Sequence, residues 1–295
     1  MAKNHFYRLT LAWASISLVI IGAVVAQEQP EATAAPEATA APEATPEASD
    51  EVIEVPEGWA LVWHDEFDGD AIDEANWTYD IGAGGWGNGE AQYYTNRPEN
   101  ARIENGMLVI EARQERYMGA YYTSARLKSE GLQEFQYGRI EARVRVPEGR
   151  GMWPAFWMLG SNFSEIGWPD CGEIDIMEYI GREPDLIMGT LHGPGYSGAL
   201  SLSRWNRRDY PIADDFHTYA VEWDENQITW FYDGEAYGSY SRADVGNRPW
   251  PYDQPFFIIL NLALGGQFPG PIGLDVVFPK QYLVDYVRVF QKVQP

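Results

Sequence analysis

The sequence holds a single cysteine, Cys171, so no intramolecular disulfide can form and stability must come from a core. Histidine is nearly as scarce. His5, His64, His192 and His217 are scattered, and with one thiol they offer no ligand set for a catalytic zinc. Bases are outnumbered, 21 Lys and Arg against 44 Asp and Glu, and the resulting −23 repels phosphate backbones and anionic lipid heads. No nucleic acid partner is therefore expected. Beyond the first 26 residues no apolar run is long enough to cross a bilayer, and no amphipathic helical pattern reaches ten residues.

Aromatic residues, in contrast, are plentiful. Twelve Trp, eighteen Tyr and twelve Phe exceed the needs of an ordinary core and point to an aromatic-lined site for a neutral ligand. Apolar content of 45% with 22% charged residues excludes a wholly disordered chain.

Residues 1–26 carry Lys3 and Arg8, then an apolar run, then small residues, the layout of a secretory signal cleaved after Ala26. The expected product is secreted, with no membrane contact for the mature chain. Because the run Leu9–Ala26 is close to spanning length, an uncleaved signal that tethers the protein at the surface is the alternative. Residues 27–58 repeat Pro-Glu-Ala-Thr units with nine acids and no base, which reads as a disordered, extended linker. The remainder, 59–295, keeps 19 bases and 35 acids, so the net −16 is a property of the folded domain.

Within that domain, Arg139–Val146 alternates strictly, with Ile140, Ala142, Val144 and Val146 on one side and Arg139, Glu141, Arg143 and Arg145 on the other. Period two over eight residues predicts a half-buried antiparallel strand. Similar runs occur at 107–112, 218–223, 227–232, 256–264 and 283–290, punctuated by hairpin signals such as Asn105-Gly106 and Asp233-Gly234. Many strands without crossover helices predict an all-β fold, an antiparallel β-sandwich of jelly-roll type with a concave cleft.

The segment GEIDIMEYIG, residues 172–181, interleaves Ile174, Ile176 and Ile180 with Glu173, Asp175 and Glu178. In a strand Glu173 and Asp175 share a face, but Glu178 has the wrong parity and would enter the core, a costly place for a charge. A β-bulge around Ile176 and Met177 is therefore expected to return it to the carboxylate face. The two glutamates then lie about 13 Å apart at Cα and can lean together over Asp175. That could bring their carboxyls to the separation of about 5–5.5 Å associated with retaining glycoside hydrolysis. Three acids on one face also separate their pKa values, so that one stays ionised while another holds a proton. A solvated acidic face or a calcium site are the competing readings of the same residues.

The segment GEIDIME is similar to the signature of glycoside hydrolase family 16 in the bulged form typical of bacterial laminarinases, the endo-β-1,3-glucanases. The resemblance runs through WHDEF (63–67), GNGEAQYY (87–94), GMWPAFWMLG (151–160), HGPGYSG (192–198), DFHTY (215–219), NLALGG (261–266) and DYVRV (285–289). It implies a jelly roll, with Glu173 as nucleophile, Glu178 as acid/base and Asp175 assisting.

Trp153 and Trp157 share a strand face across the small Ala155, with Phe156 and Met158 opposite, which suits the flat faces of sugar rings, and each indole can donate a hydrogen bond. Core packing is the alternative. The resemblance places these two and Trp168 along the cleft, implies that Asn88, Glu90 and Arg126 hold sugar hydroxyls, and sets His192 beside the catalytic acids. His217 reads as structural. By the same resemblance Glu66, Gly106 and Asp285 match a structural Ca²⁺ site remote from the cleft, whereas catalysis requires no cofactor. One departure is the loop Gln267-Phe268-Pro269-Gly270, where laminarinases commonly carry asparagine and tryptophan. Cys171 reads as a small buried residue rather than a nucleophile.

The expected function is a secreted, monomeric, retaining endo-hydrolase of β-1,3-glucan. A mixed-linkage glucanase or galactan hydrolase of the same fold is the alternative enzyme, and a non-catalytic glucan-binding module the alternative of another class.

Overall fold

The computed structural model describes residues 53–293. The expected signal, 1–26, and the linker as far as residue 52 lie outside the described residues. Residues 53–58 have no regular structure, but the Val293 amide donates to the Gly58 carbonyl at 2.9 Å, so the linker's end is already tied to the last strand.

Two sheets carry the fold. One runs in the order Glu235–Ser241, Gln227–Tyr232, His217–Trp223, Gly138–Arg145, Lys280–Lys292, Leu108–Tyr117, Ala120–Ser124 and Gln92–Tyr94, with Trp59–Asp65 and Ala101–Ile103 paired to its side. The other runs Leu202–Arg207, Leu186–His192, Glu173–Tyr179, Met152–Gly160, Phe256–Leu264, Arg126–Lys128 and Thr78–Tyr79, with Glu134–Phe135 beside it. All pairs are antiparallel except Gln92–Tyr94 with Ala120–Ser124, which is parallel. Among the described residues no helix exceeds the single turns Phe163–Ile166 and Arg242–Val245, and none is long and apolar enough to cross a membrane.

The alternating strand behaves as its pattern demands. Ile140, Ala142, Val144 and Val146 are buried in the core between the sheets. On the opposite parity, Arg139 pairs with Glu141 and Glu222, and Arg143 with Asp285. Other strands outgrow their sequence signal: 283–290 extends to Lys280–Lys292, and 107–112 to Leu108–Tyr117, because polar residues continue the ladder where no apolar residue marks it. The Asn105-Gly106 and Asp233-Gly234 turns place both residues at positive φ (55° and 70°; 47° and 79°), the backbone that two-residue hairpin loops require.

Candidate active site

The strand Glu173–Tyr179 lies inside the second sheet, between Met152–Gly160 and Leu186–His192. Its pairing skips: Trp157 faces Asp175 while Phe156 faces Met177, so Ile176 is the extra residue. Across the other edge, Asp175 faces Thr190 and Glu178 faces Met188. The expected bulge is present at this point. It sends Ile174, Ile176, Met177 and Tyr179 into the core and turns Glu173, Asp175 and Glu178 toward one cavity of about 1150 Å³. Each buried Ile or Met side chain contributes about 1.5–3 kcal/mol. An unbulged register would instead exchange Met177 for an ionisable group.

The three acids differ in surroundings. Glu178 is 8% exposed; its Oε1 accepts from Trp153 Nε1 (3.2 Å) and its Oε2 from Thr190 Oγ1 (3.2 Å). Burial, reinforced by the charge of Glu173, pushes its carboxyl up to about 7, against the opposing effects of His192 and those two hydrogen bonds. Asp175, 3% exposed, is held well above the usual carboxylate range by burial first, then by the charges of Glu173 and Glu178 and a hydrogen bond with Glu173. Glu173 is more open, and its Oε2 accepts from Trp168 Nε1 at 2.6 Å. The arrangement thus offers a proton-holding carboxyl and a more accessible carboxylate on one wall.

His192 stands opposite Glu173 in the ladder, its Nε2 3.3 Å from Asp175 Oδ2 and 3.9 Å from Glu173 Oε1. Its Nδ1 accepts the Gly198 amide hydrogen at 3.0 Å, which selects the tautomer with the proton on Nε2, facing the acids. Glu173, Asp175 and His192 lie close enough to suggest a metal triad. A metal, however, would need the Nε2 lone pair that this tautomer fills.

Trp153 and Trp157 line the cavity as expected, with Phe156 and Met158 in the core. Neither indole N–H is left for a sugar, which corrects the expectation from sequence. Trp153 donates to Glu178, and Trp157 to Asn261 Oδ1 at 2.7 Å. Asn88, Glu90, Arg126 and Trp168 also line the cavity. Glu90, raised by burial, accepts from Gln92 (2.6 Å), Tyr94 (3.2 Å) and Asn88 (3.4 Å). The Arg126 guanidinium lies 4.6 Å from the Trp157 ring centroid and pairs with Asp80 at 2.9 Å, so it buttresses the wall as well as facing the groove.

The sequence profile described as Glycosyl hydrolases family 16 matches residues 88–287. The chain belongs to glycosyl hydrolase family 16. It is 47% identical over 247 residues to a beta-glucanase of Rhodothermus marinus, covering 80% of this chain and 86% of the relative. Among solved structures, the endo-beta-1,3-glucanase of Pyrococcus furiosus superposes with a TM-score of 0.78 at 46% identity, covering 80% of this chain and 96% of that one. The laminarinase catalytic domain of Thermotoga maritima gives a TM-score of 0.78 at 45% identity, covering 81% and 100%. The protein is accordingly a glycoside hydrolase with a jelly-roll fold.

Sequence reasoning missed several residues of this family 16 site. Thr190 holds Glu178 and is itself 3.1 Å from Ser203 Oγ; Asn261 links Trp157 to Tyr94; Asp80 anchors Arg126 and Lys128. Phe268, in the departing loop, packs edge-on against Trp153 with centroids 5.1 Å apart. An aromatic in that loop was visible, but its partner was not. Cys171 is fully buried, and its thiol is pushed up to about 11 by burial and by Glu173, which makes it a poor nucleophile. His217 is held by Asp233 (2.8 Å) and stacks on Tyr232, away from the cleft.

At the expected cation site, the ladder sets Asp65 opposite Val287 and Leu108 opposite Val284, which gathers Glu66, Gly106 and Asp285 near one stretch of the last strand. Both Glu66 oxygens accept from Arg288, at 2.9 and 2.7 Å, and Asp285 Oδ2 accepts from Arg143 at 2.6 Å. Of the expected ligands, both Glu66 carboxylate oxygens and one of Asp285 are thus taken by arginines, so a cation there would have to use main-chain carbonyls and the other Asp285 oxygen, hard donors of the kind Ca²⁺ takes.

Proposed function

We propose that this family 16 enzyme is an endo-β-1,3-glucanase that cleaves laminarin-type polysaccharide with retention of configuration. The observation that carries the reading is the bulged strand, which aims Glu173, Asp175 and Glu178 into one aromatic-walled groove. Side chains lining that groove come from six neighbouring strands, from Arg126–Lys128 to Leu202–Arg207. Five strand spacings amount to about 24 Å, a trough for several sugar rings rather than a pocket for a chain end.

In this reading Glu173 attacks the anomeric carbon while protonated Glu178 gives its proton to the departing glycosidic oxygen. A glycosyl ester forms on Glu173 and the C–O bond breaks. Water, giving its proton back to Glu178, then displaces the sugar. Protonated Asp175 donates to Glu173, orients it, and takes up part of its charge when the ester leaves. No cofactor enters these steps; a Ca²⁺ ion held by Asp285 and the Glu66 and Gly106 carbonyls would serve stability alone. The two basic residues and apolar run within 1–26 support export, and with it action on extracellular glucan.

Reducing-sugar release from laminarin tests the activity and separates it from glucan binding alone. Glu173→Ser should abolish turnover, and wild-type rates in that variant would remove Glu173 from the nucleophile role. NMR of the first-formed anomer tests the stereochemistry, an initially inverted product excluding the covalent route. Barley glucan, agarose and carrageenan alongside laminarin decide the linkage.

A further inference from the structure

The bulge has a prop that comes from the other sheet. Trp230, on Gln227–Tyr232, is fully buried, and its Nε1 donates to the Asp175 carbonyl at 2.8 Å. At a bulge the ladder is locally interrupted, and a main-chain carbonyl there needs a partner from elsewhere. The indole reaches it because residue 189 is glycine. A Cβ at Gly189 would lie 2.2 Å from Trp230 Cδ1 and Nε1. Gly189 sits between Met188 and Thr190, the residues facing Glu178 and Asp175. One interlocked unit therefore fixes the strand at the residue where its parity changes.

We infer that Trp230 is a positioning residue for the reaction: by holding the Asp175 carbonyl it fixes the bulge, and with it the placement of Asp175 and Glu178 in the groove. It touches no substrate and acts through the backbone. The inference rests on the glucanase reading for its kinetic arm, but not for its structural one. Losing the donor lets the bulged segment relax, exposes Glu178 and returns its carboxyl toward ordinary values, since burial is the largest cause of its rise.

The test compares Trp230→Phe with Trp223→Phe. Trp223 is a matched control: it too is buried, and its Nε1 donates to the Tyr252 carbonyl at 2.9 Å. Both variants should lose about 3–10 °C in Tm, the cost of one orphaned buried carbonyl. Only Trp230→Phe should lower kcat on laminarin, by about 10–100-fold with KM little changed, and move the alkaline limb of the pH profile to lower pH. Gly189→Ala, which keeps the indole but crowds it, should reproduce that shift. Carboxyl-carbon NMR titration reads Glu178 directly, so a wild-type chain inactive on laminarin would sink the glucanase reading and leave this arm to decide. A Glu178 titration unchanged in both Trp230→Phe and Gly189→Ala would overturn the inference. So would failure of Trp230→Phe to fold together with a wild-type profile in Gly189→Ala.

Discussion

Trp168 Nε1 donates to Glu173 Oε2 across 2.6 Å from a ring that is 47% exposed at the groove. The ring is therefore held by the carboxylate it serves more than by packing. A hydrogen bond to a charged group is worth about 1.5–3 kcal/mol. Trp168→Phe should lower kcat/KM on laminarin by about 10–100-fold and Tm by about 3–10 °C, because the same hydrogen bond also supports the fold. Steady-state kinetics with a thermal melt check both numbers.

Phe268 offers a gentler perturbation of the same wall. It supports Trp153 edge-on, and Trp153 in turn donates to Glu178, so the contact reaches the acid through one intermediary. An aromatic pair contributes about 0.5–1.5 kcal/mol beyond area burial. Phe268→Ala should therefore reduce kcat/KM by about 2–10-fold, and Phe268→Trp should recover most of it. A loss as large as that of Trp168→Phe would mean that Phe268 contacts the sugar itself.

How much of this could be read beforehand follows from what one chain segment can encode. The parity of Ile140, Ala142 and Val144 declares a buried face, and the misplaced parity of Glu178 declares the bulge, because each is a local pattern with a desolvation cost attached. The partners of these residues are another matter. Asn261 is 104 positions from Trp157, and Trp230 is 55 from Asp175. Such pairs depend on which strands lie side by side and which side chains cross the core. No periodicity carries that information. The same gap explains why both indole N–H groups of Trp153 and Trp157 looked available for substrate and proved to be spent within the protein.

At the far sheet, Asp285 keeps one oxygen clear of Arg143 among the described residues. With Ca²⁺ at 100 times its dissociation constant, linkage adds about 2.7 kcal/mol to the folded state, or about 5–10 °C in Tm. EDTA should remove this gain and calcium restore it. Below the melting range kcat should stay constant throughout. In Asp285→Asn the response to calcium should vanish; a response that persists would place the ion elsewhere.

The pH dependence follows from Glu178, whose carboxyl is raised from an ordinary 4.5 to about 7 by burial and by Glu173. As the proposed proton donor it works when protonated, so kcat/KM should fall as pH rises through about 7. Stability moves in the same direction. The folded chain binds this proton more tightly than the unfolded chain, so the stabilisation is complete below about 4.5 and is lost as pH climbs to about 7. Glu178→Gln separates the two effects: its amide cannot ionise, so the Tm profile between those values should flatten. It also cannot give up a proton, so kcat should drop by at least about 100-fold. Melts at half-unit pH intervals, wild type against variant, provide the comparison. An equally steep decline in both proteins would assign the titration to Asp175, which shares the groove and the same burial.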